Sequence, residues 1–280
     1  MANRTADESD RQLRAQPDAR PEPVATVSRR LSPMQLVAVT RERLLWNHRA
    51  DTWDDAGSAG LSKVVEAVLE ACQPSPEMVA VDLGCGSGQV TIPLARACRR
   101  VLGVDLSAPL IARMERKAQD SGVDNITSVL APLERLDLDA GSVDLVVTNY
   151  ALHHLRDADK ADLLRRAYGW LRPGGRLVIG DMMFGRGLDA ENRQIVQSKA
   201  IGMLSRGPAG WWRLAKNVWR FSLRLGEKPL PVGRWESLAQ SAGFDGVFTR
   251  RVVSEACVLT ASRPVDTAAA APNGSYLGRA

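Results

Sequence analysis

The chain has 280 residues, of which 45% are hydrophobic and 25% charged, with a formal net charge of +5 and four cysteines. That length suits one α/β domain with an added cap. No apolar run approaches the roughly 18 residues of a membrane-spanning helix, so a chain not integral to a membrane, and cytoplasmic, is expected.

The cysteines at 72, 85, 98 and 257 form no C-x-x-C pair and have no histidine at ligand spacing, which argues against a disulfide framework or a metal site. Charge is concentrated: between Asn192 and Lys228 eight basic residues stand against Glu227 alone, leaving the rest of the chain net acidic. Residues 1–30 mix Arg, Asp, Glu, Pro, Ala and Gln without the apolar block of a signal peptide, so a disordered tail is expected there. A second loose tail is expected over 263–280.

From Ser32-Pro33-Met34 the pattern becomes helical, with Leu36, Val39, Arg43 and Trp46 on nearby turns, and residues 31–60 are read as an N-terminal helical cap. Leu61 to Cys72 is an amphipathic helix stopped by Pro74 and Pro76. Met78 to Gln89 then runs from a short apolar strand through Asp82 into Gly84, Gly86 and Gly88, a strand, turn and helix start. Alternate glycines let the backbone turn sharply and lie against a ligand at a helix N-terminus. The spacing differs from the dinucleotide pattern G-x-G-x-x-G, whose third glycine would fall at Gln89. Asp82 would sit badly beside a pyrophosphate and suits a ligand with positive charge, such as the ammonium and sulfonium of S-adenosylmethionine.

Asp82-x-Gly84-x-Gly86-x-Gly88 resembles the first motif of the class I S-adenosylmethionine-dependent methyltransferases, and the resemblance extends over roughly Leu61 to Ser262. It implies a doubly wound, seven-stranded, mostly parallel α/β sheet with a cofactor-binding core over 61–181, an inserted helical cap over 182–230 and a C-terminal part of the core over 231–262. The cofactor implied is S-adenosylmethionine.

After the loop, Val90 to Cys98 is a helix with Ile92, Leu94 and Ala95 inward, and Val101 to Asp105 a strand. An acid ending the second strand, about 20 residues past the loop, marks Asp105 for the ribose hydroxyls; the alternative is an N-cap for the helix Ala108 to Asp120, a role Ser107 fills more naturally. Asn125 to Leu130 reads as a third strand. At Ala131-Pro132-Leu133-Glu134 many family members carry an acid on the adenine amino group; Pro132 stands there instead, leaving the Leu133 backbone N–H and apolar contact with Leu106.

Gly141 to Asn149 ends a turn and begins a fourth strand, and with the following Tyr150-Ala151-Leu152-His153-His154-Leu155 it resembles the family's fourth-strand motif. Asn149 is expected at the cofactor, Tyr150 at the substrate, and His153 or His154 as a base, with packing at a helix start as the alternative for each histidine. Asn149-Tyr150-Ala151-Leu152 is not the Asn-Pro-Pro-Tyr of nucleobase amino methylases, so nucleic acid is disfavoured. Lys160 to Trp170 is a helix, Leu171-Arg172-Pro173-Gly174-Gly175 a turn typical of the family, and Arg176 to Gly180 a fifth strand. Arg234 to Ala242 is a helix, and Val247 to Val253 with Ala256 to Ala261 a terminal hairpin.

Trp46 lies on an aromatic-rich helix that either closes over the cofactor or packs on the sheet edge. Within the inserted cap, 211–225 forms a basic amphipathic helix with Arg213, Lys216, Arg220 and Arg224 on one side and Trp212, Val218 and Trp219 largely opposite. It is read as a cap helix, as a lid over a lipophilic substrate touched by Trp211 and Trp212, or as a contact with anionic membrane. The function expected is methyl transfer to O, N or C of a small hydrophobic or aromatic metabolite, with a membrane lipid or isoprenoid as a second acceptor class. A non-catalytic nucleoside-binding protein of the same fold is a third reading, and a nucleotide-dependent oxidoreductase the least favoured. The oligomeric state is left open.

Overall fold

A computed structural model describes residues 23–52, 59–185 and 228–265. In chain order the elements are β1 (Ala25–Val27), α1 (Pro33–Arg49), a 3-10 turn (Ala50–Thr52), α2 (Ala59–Cys72), β2 (Val79–Leu83), α3 (Thr91–Ala97), β3 (Arg100–Asp105), α4 (Ala108–Asp120) and β4 (Ile126–Leu130). There follow β5 (Leu136–Leu138), β6 (Val143–Asn149), a 3-10 turn (Leu152–His154), α5 (Asp157–Trp170), β7 (Leu171–Met182), α6 (Val232–Ser241), β8 (Asp245–Arg251) and β9 (Ala256–Ser262).

Seven strands form one sheet in the order β4-β3-β2-β6-β7-β9-β8, parallel from β4 to β7 and antiparallel at β9 and β8. This is the doubly wound sheet expected from the sequence. Every residue of Val79-Ala80-Val81-Asp82-Leu83 is buried, the signature of a parallel strand covered on both faces. Alternate side chains feed two cores. Val79, Val81 and Leu83 join Leu163, Leu164, Trp170 and Trp235 on one face, while Ala80, Leu145, Val147 and Val178 join Val64, Val68 and Leu94 on the other. Chain order reverses between β2 and β6, so the carboxyl ends of these two strands bracket the crevice where open parallel sheets bind ligands.

Two expectations are corrected. The loose tail expected to reach residue 30 does not extend over 23–30: β1 pairs antiparallel with β5 in a small second sheet, and Arg135 donates to the carbonyls of Arg29 and Val27 at 3.0 Å each. Arg29 also pairs with Asp162. Three-residue strands carry too little periodicity to be read in isolation. Second, Leu171 to Gly175 is not a turn ahead of the fifth strand. β7 begins at Leu171, and the register jumps from Val143 opposite Leu171 to Leu145 opposite Arg176, so Pro173-Gly174-Gly175 is an irregularity within the strand. Arg263 clasps it, with Gly174 N–H donating to its carbonyl and its own N–H donating to Gly175.

Where β6 ends, Tyr150 takes φ +51°, a conformation that non-glycine residues seldom adopt, while its N–H donates to the Gly180 carbonyl at 2.8 Å. This turn tucks Ala151 under the glycine loop. A Cβ on Gly84, itself at φ +77°, would lie 2.4 Å from the Ala151 Cβ. Gly84→Ala is therefore expected to cost about 2–4 kcal/mol of stability in urea unfolding. Gly122→Ala, at φ +65° with open space around it, is expected to cost about 1 kcal/mol. Equal losses in the two variants would contradict the close approach of Ala151.

Candidate active site

β3 fixes the glycine loop. The N–H groups of Gly84 and Cys85 both donate to the Val104 carbonyl, at 2.8 and 3.0 Å. One step further along β3, the Asp105 carboxylate accepts from Gly86 N–H at 2.9 Å and from Ser107 N–H at 2.8 Å. Asp105 thus holds the loop and the entry to α4 in one geometry. Ser107 occupies the N-cap position of α4 without a side-chain cap bond; its Oγ instead hydrogen-bonds Asn47 Oδ1 at 2.8 Å.

α1 lies across the same carboxyl ends, tied at both ends. Ser32 and Gln35 form a capping box at its start, and Gln35 Nε2 donates to Asp159 Oδ1 at 2.8 Å. Near its other end stands the Asn47–Ser107 bond. Ala38, Val39, Glu42 and Trp46, which share one helix face, line the cleft so formed. The cleft encloses about 1080 Å³ including its open mouth.

Of the residues singled out in the sequence, Asp82, Gly84, Gly86, Asp105, Leu106, Leu133, Asn149, Tyr150, Trp46 and His154 all line this one cleft. Gly88 and His153 do not. Gly88 packs the loop on α4, where an added Cβ would meet Met114 Cγ at 2.7 Å. His153 is buried behind the wall, its Nδ1 2.6 Å from Asp181 Oδ1 and its backbone N–H donating to Asp181 Oδ2 at 2.9 Å. The packing alternative is therefore the geometry found for His153, whereas His154 lines the cleft. Trp211 and Trp212 lie outside the described residues, as does the rest of 186–227.

The polar groups of the cleft are unevenly satisfied. Asp82 is fully buried with its carboxylate on the Thr91 hydroxyl at 2.6 Å, and burial pushes its pKa up to about 7. Burial likewise pushes up Asp105 and Glu134. Asn149 Oδ1 is buried and meets no hydrogen-bond partner among the described residues. A buried amide oxygen left unpaired is costly, and its place at the end of β6 suits a cationic or N–H donor from a ligand. Burial lowers the basicity of His154, with Glu42 opposing.

Glu42, Glu134, Arg156 and Asp159 also line the cleft and were not anticipated. Glu42 had a signal: an acid four residues after Ala38 and four before Trp46 interrupts an otherwise apolar helix face. Glu134 stands two residues past Pro132, so an acid is present on the wall although displaced from its expected position. Among the described residues no cluster of histidine, cysteine or acid side chains could hold a metal ion. All four cysteines are buried free thiols.

A glycine loop opening a helix at the switch of a doubly wound sheet, with an acid ending the neighbouring strand, is an arrangement in which α/β sheets bind nucleotides. Residues 80–175 match the family model for the methyltransferase domain. Arsenite methyltransferase of Aquipseudomonas alcaligenes is 34% identical over 145 residues, 48% of this chain and 40% of that protein. Carboxy-S-adenosyl-L-methionine synthase of Alteromonas mediterranea is 30% identical over 128 residues, 44% of this chain and 52% of its own length. The chain thus spans about half the length, or less, of these curated relatives. Among solved structures, 1,6-didemethyltoxoflavin-N1-methyltransferase of Burkholderia thailandensis, with bound 1,6-didemethyltoxoflavin and S-adenosylhomocysteine, aligns at a TM-score of 0.58 and 19% identity over 87% of this chain and all of that one. Over residues 80–175 the chain is thus similar to the methyltransferase domain, and its fold is shared with a methyltransferase solved with S-adenosylhomocysteine, the product form of the cofactor S-adenosylmethionine.

The cleft residues fit that cofactor: close-approach glycines, an acid beside them, apolar Leu106 and Leu133, and the unpaired Asn149 oxygen. Asp82 gives the site a pH signature. Its folded pKa lies above the unfolded value of 3.8, so between these values the native state binds more protons than the unfolded chain and stability falls as pH rises. Between about pH 4 and 7 the free protein is expected to lose stability from this group, and Asp82→Asn to flatten the loss. Urea unfolding across that range checks it; parallel curves for wild type and variant would contradict the buried, uncharged carboxyl.

Proposed function

We propose that the protein transfers a methyl group from S-adenosylmethionine to O, N or C of a small hydrophobic or aromatic acceptor. The observation that carries this reading is His154, a partly exposed imidazole lining the cleft that also holds Asp105 and the glycine loop, beside Trp46 with ring centroids 5.2 Å apart. When bound, the cofactor supplies a methyl group already activated by its sulfonium. The chain's own residues then have three tasks. Gly84, Gly86 and Asp105 hold the nucleoside; Val39, Trp46 and Leu155 give an apolar, water-poor wall for the acceptor; and His154 takes the acceptor's proton as it is methylated. Lowered basicity keeps His154 neutral, and so able to accept a proton, at neutral pH.

A lipid acceptor is the second reading. It rests on the basic and aromatic pattern of residues 211–225, and binding to anionic vesicles that is lost on changing Arg213, Arg220 and Arg224 to Gln would support it.

Calorimetric titration with S-adenosylmethionine, S-adenosylhomocysteine and NAD, followed by tritiated-methyl transfer to a panel of lipophilic phenols, amines and lipids, tests the proposal. Micromolar binding of the first two ligands and none of NAD is expected. His154→Asn is expected to lower turnover about 100-fold while leaving S-adenosylhomocysteine affinity nearly unchanged. Binding of NAD alone, or full turnover in the variant, would contradict it.

A further inference from the structure

We propose that Glu42, carried across the cleft by α1, is the positioning residue for His154, holding its proton on Nδ1 and leaving Nε2 as the basic nitrogen. The assignment rests on the methyltransferase reading above and adds to it a residue outside the matched domain of 80–175.

Glu42 Oε2 and His154 Nδ1 face each other at 3.4 Å, and the two side chains are 13% and 14% exposed. Neither atom has another partner among the described residues. Two buried polar atoms from separate elements, both lining the cleft and each otherwise unpaired, satisfy one another only if the imidazole presents its N–H to the carboxylate. In a neutral imidazole the proton on one nitrogen fixes the lone pair on the other.

The placement of Glu42 is enforced. α1 is tied at its start by Gln35 to Asp159 and near its end by Asn47 to Ser107, and Glu42 stands between the two ties. The charged neighbours are consistent with the role. Burial alone would raise Glu42, but His154, Arg41 and Lys228 outweigh it and hold the carboxyl below its usual range. Around His154 lie Glu42 from α1, the His153 ring at 4.1 Å, Asp181 beyond it, and the Lys228 ammonium, which donates to the His154 carbonyl at 3.1 Å. Asp181 is engaged by His153, which leaves Glu42 as the carboxylate that meets His154 directly.

In the transfer step the acceptor's X–H bond breaks, its proton goes to Nε2, and its electron pair forms the bond to the methyl carbon, whose former bonding pair remains on sulfur. The imidazolium so formed faces the Glu42 carboxylate and returns its proton to water.

The test is nitrogen-15 NMR of the free protein, whose three histidines, His48, His153 and His154, are assigned by single replacement. Wild type is expected to carry the His154 proton on Nδ1. Glu42→Gln is expected to lower the His154 pKa by about one unit, and Glu42→Asp, which keeps the charge, to restore part of the shift. A His154 proton on Nε2 in wild type, or an unchanged pKa in Glu42→Gln, overturns the assignment. If Glu42→Gln fails to fold, the wild-type tautomer alone decides. S-adenosylhomocysteine titration of the same samples separates the two readings: binding with the wrong tautomer overturns only the role of Glu42, whereas no binding in wild type overturns the methyltransferase reading and the base with it.

Discussion

The geometry of the cleft depends on the end of β3. Val104 offers its carbonyl to two consecutive N–H groups of the glycine loop, and the Asp105 carboxylate takes the next free N–H of that loop together with the one that opens α4. Four peptide donors are thereby fixed by two residues. A loop built on alternate glycines has little conformational preference of its own, so its shape is imposed from this neighbouring strand. The strand in turn is held by five consecutive register positions with β2 on one side and five with β4 on the other. Loop, acid and helix entry therefore move as one body with the sheet core.

The opposite wall has a different origin. It is made by α1, a helix with Val39 as its one buried residue and with Met34, Leu36, Val37 and Leu44 exposed. Polar ties to Asp159 and Ser107 hold it near its two ends, and Glu42 and Trp46 meet His154 between them. A glycine-loop wall fixed to the sheet core and a facing wall tied by hydrogen bonds differ in how firmly they are held. His154 sits where the two walls meet, with Trp46 and Glu42 of α1 on one side and the buried His153–Asp181 pair on the other.

The glycine-loop wall was largely legible in the sequence because its residues are punctuation. Glycines at fixed spacing, an acid ending each of two apolar runs and a proline-glycine-glycine break have strong local causes, and Asp82, Gly84, Gly86, Asp105, Leu106 and Leu133 came together as expected. What escaped has no local cause. β1 and β5 are three residues each and exist only through pairing across more than a hundred residues. Glu42 and Asp159 reach the cleft because helices distant in sequence cross there, and Asp181 matters because β7 ends beneath the histidine turn. His153 and His154 look equivalent in sequence; the 3-10 turn sends one inward to Asp181 and the other to the cleft, a choice visible only in three dimensions.

The central claim, that the loop locked to β3 is where the nucleoside binds, is tested most directly by amide hydrogen exchange with and without S-adenosylhomocysteine. The account predicts slowed exchange in peptides spanning 84–88, 105–107 and 132–134, with α6 and the β8–β9 hairpin unaffected. Protection confined to the hairpin, or spread evenly over the chain, would contradict it.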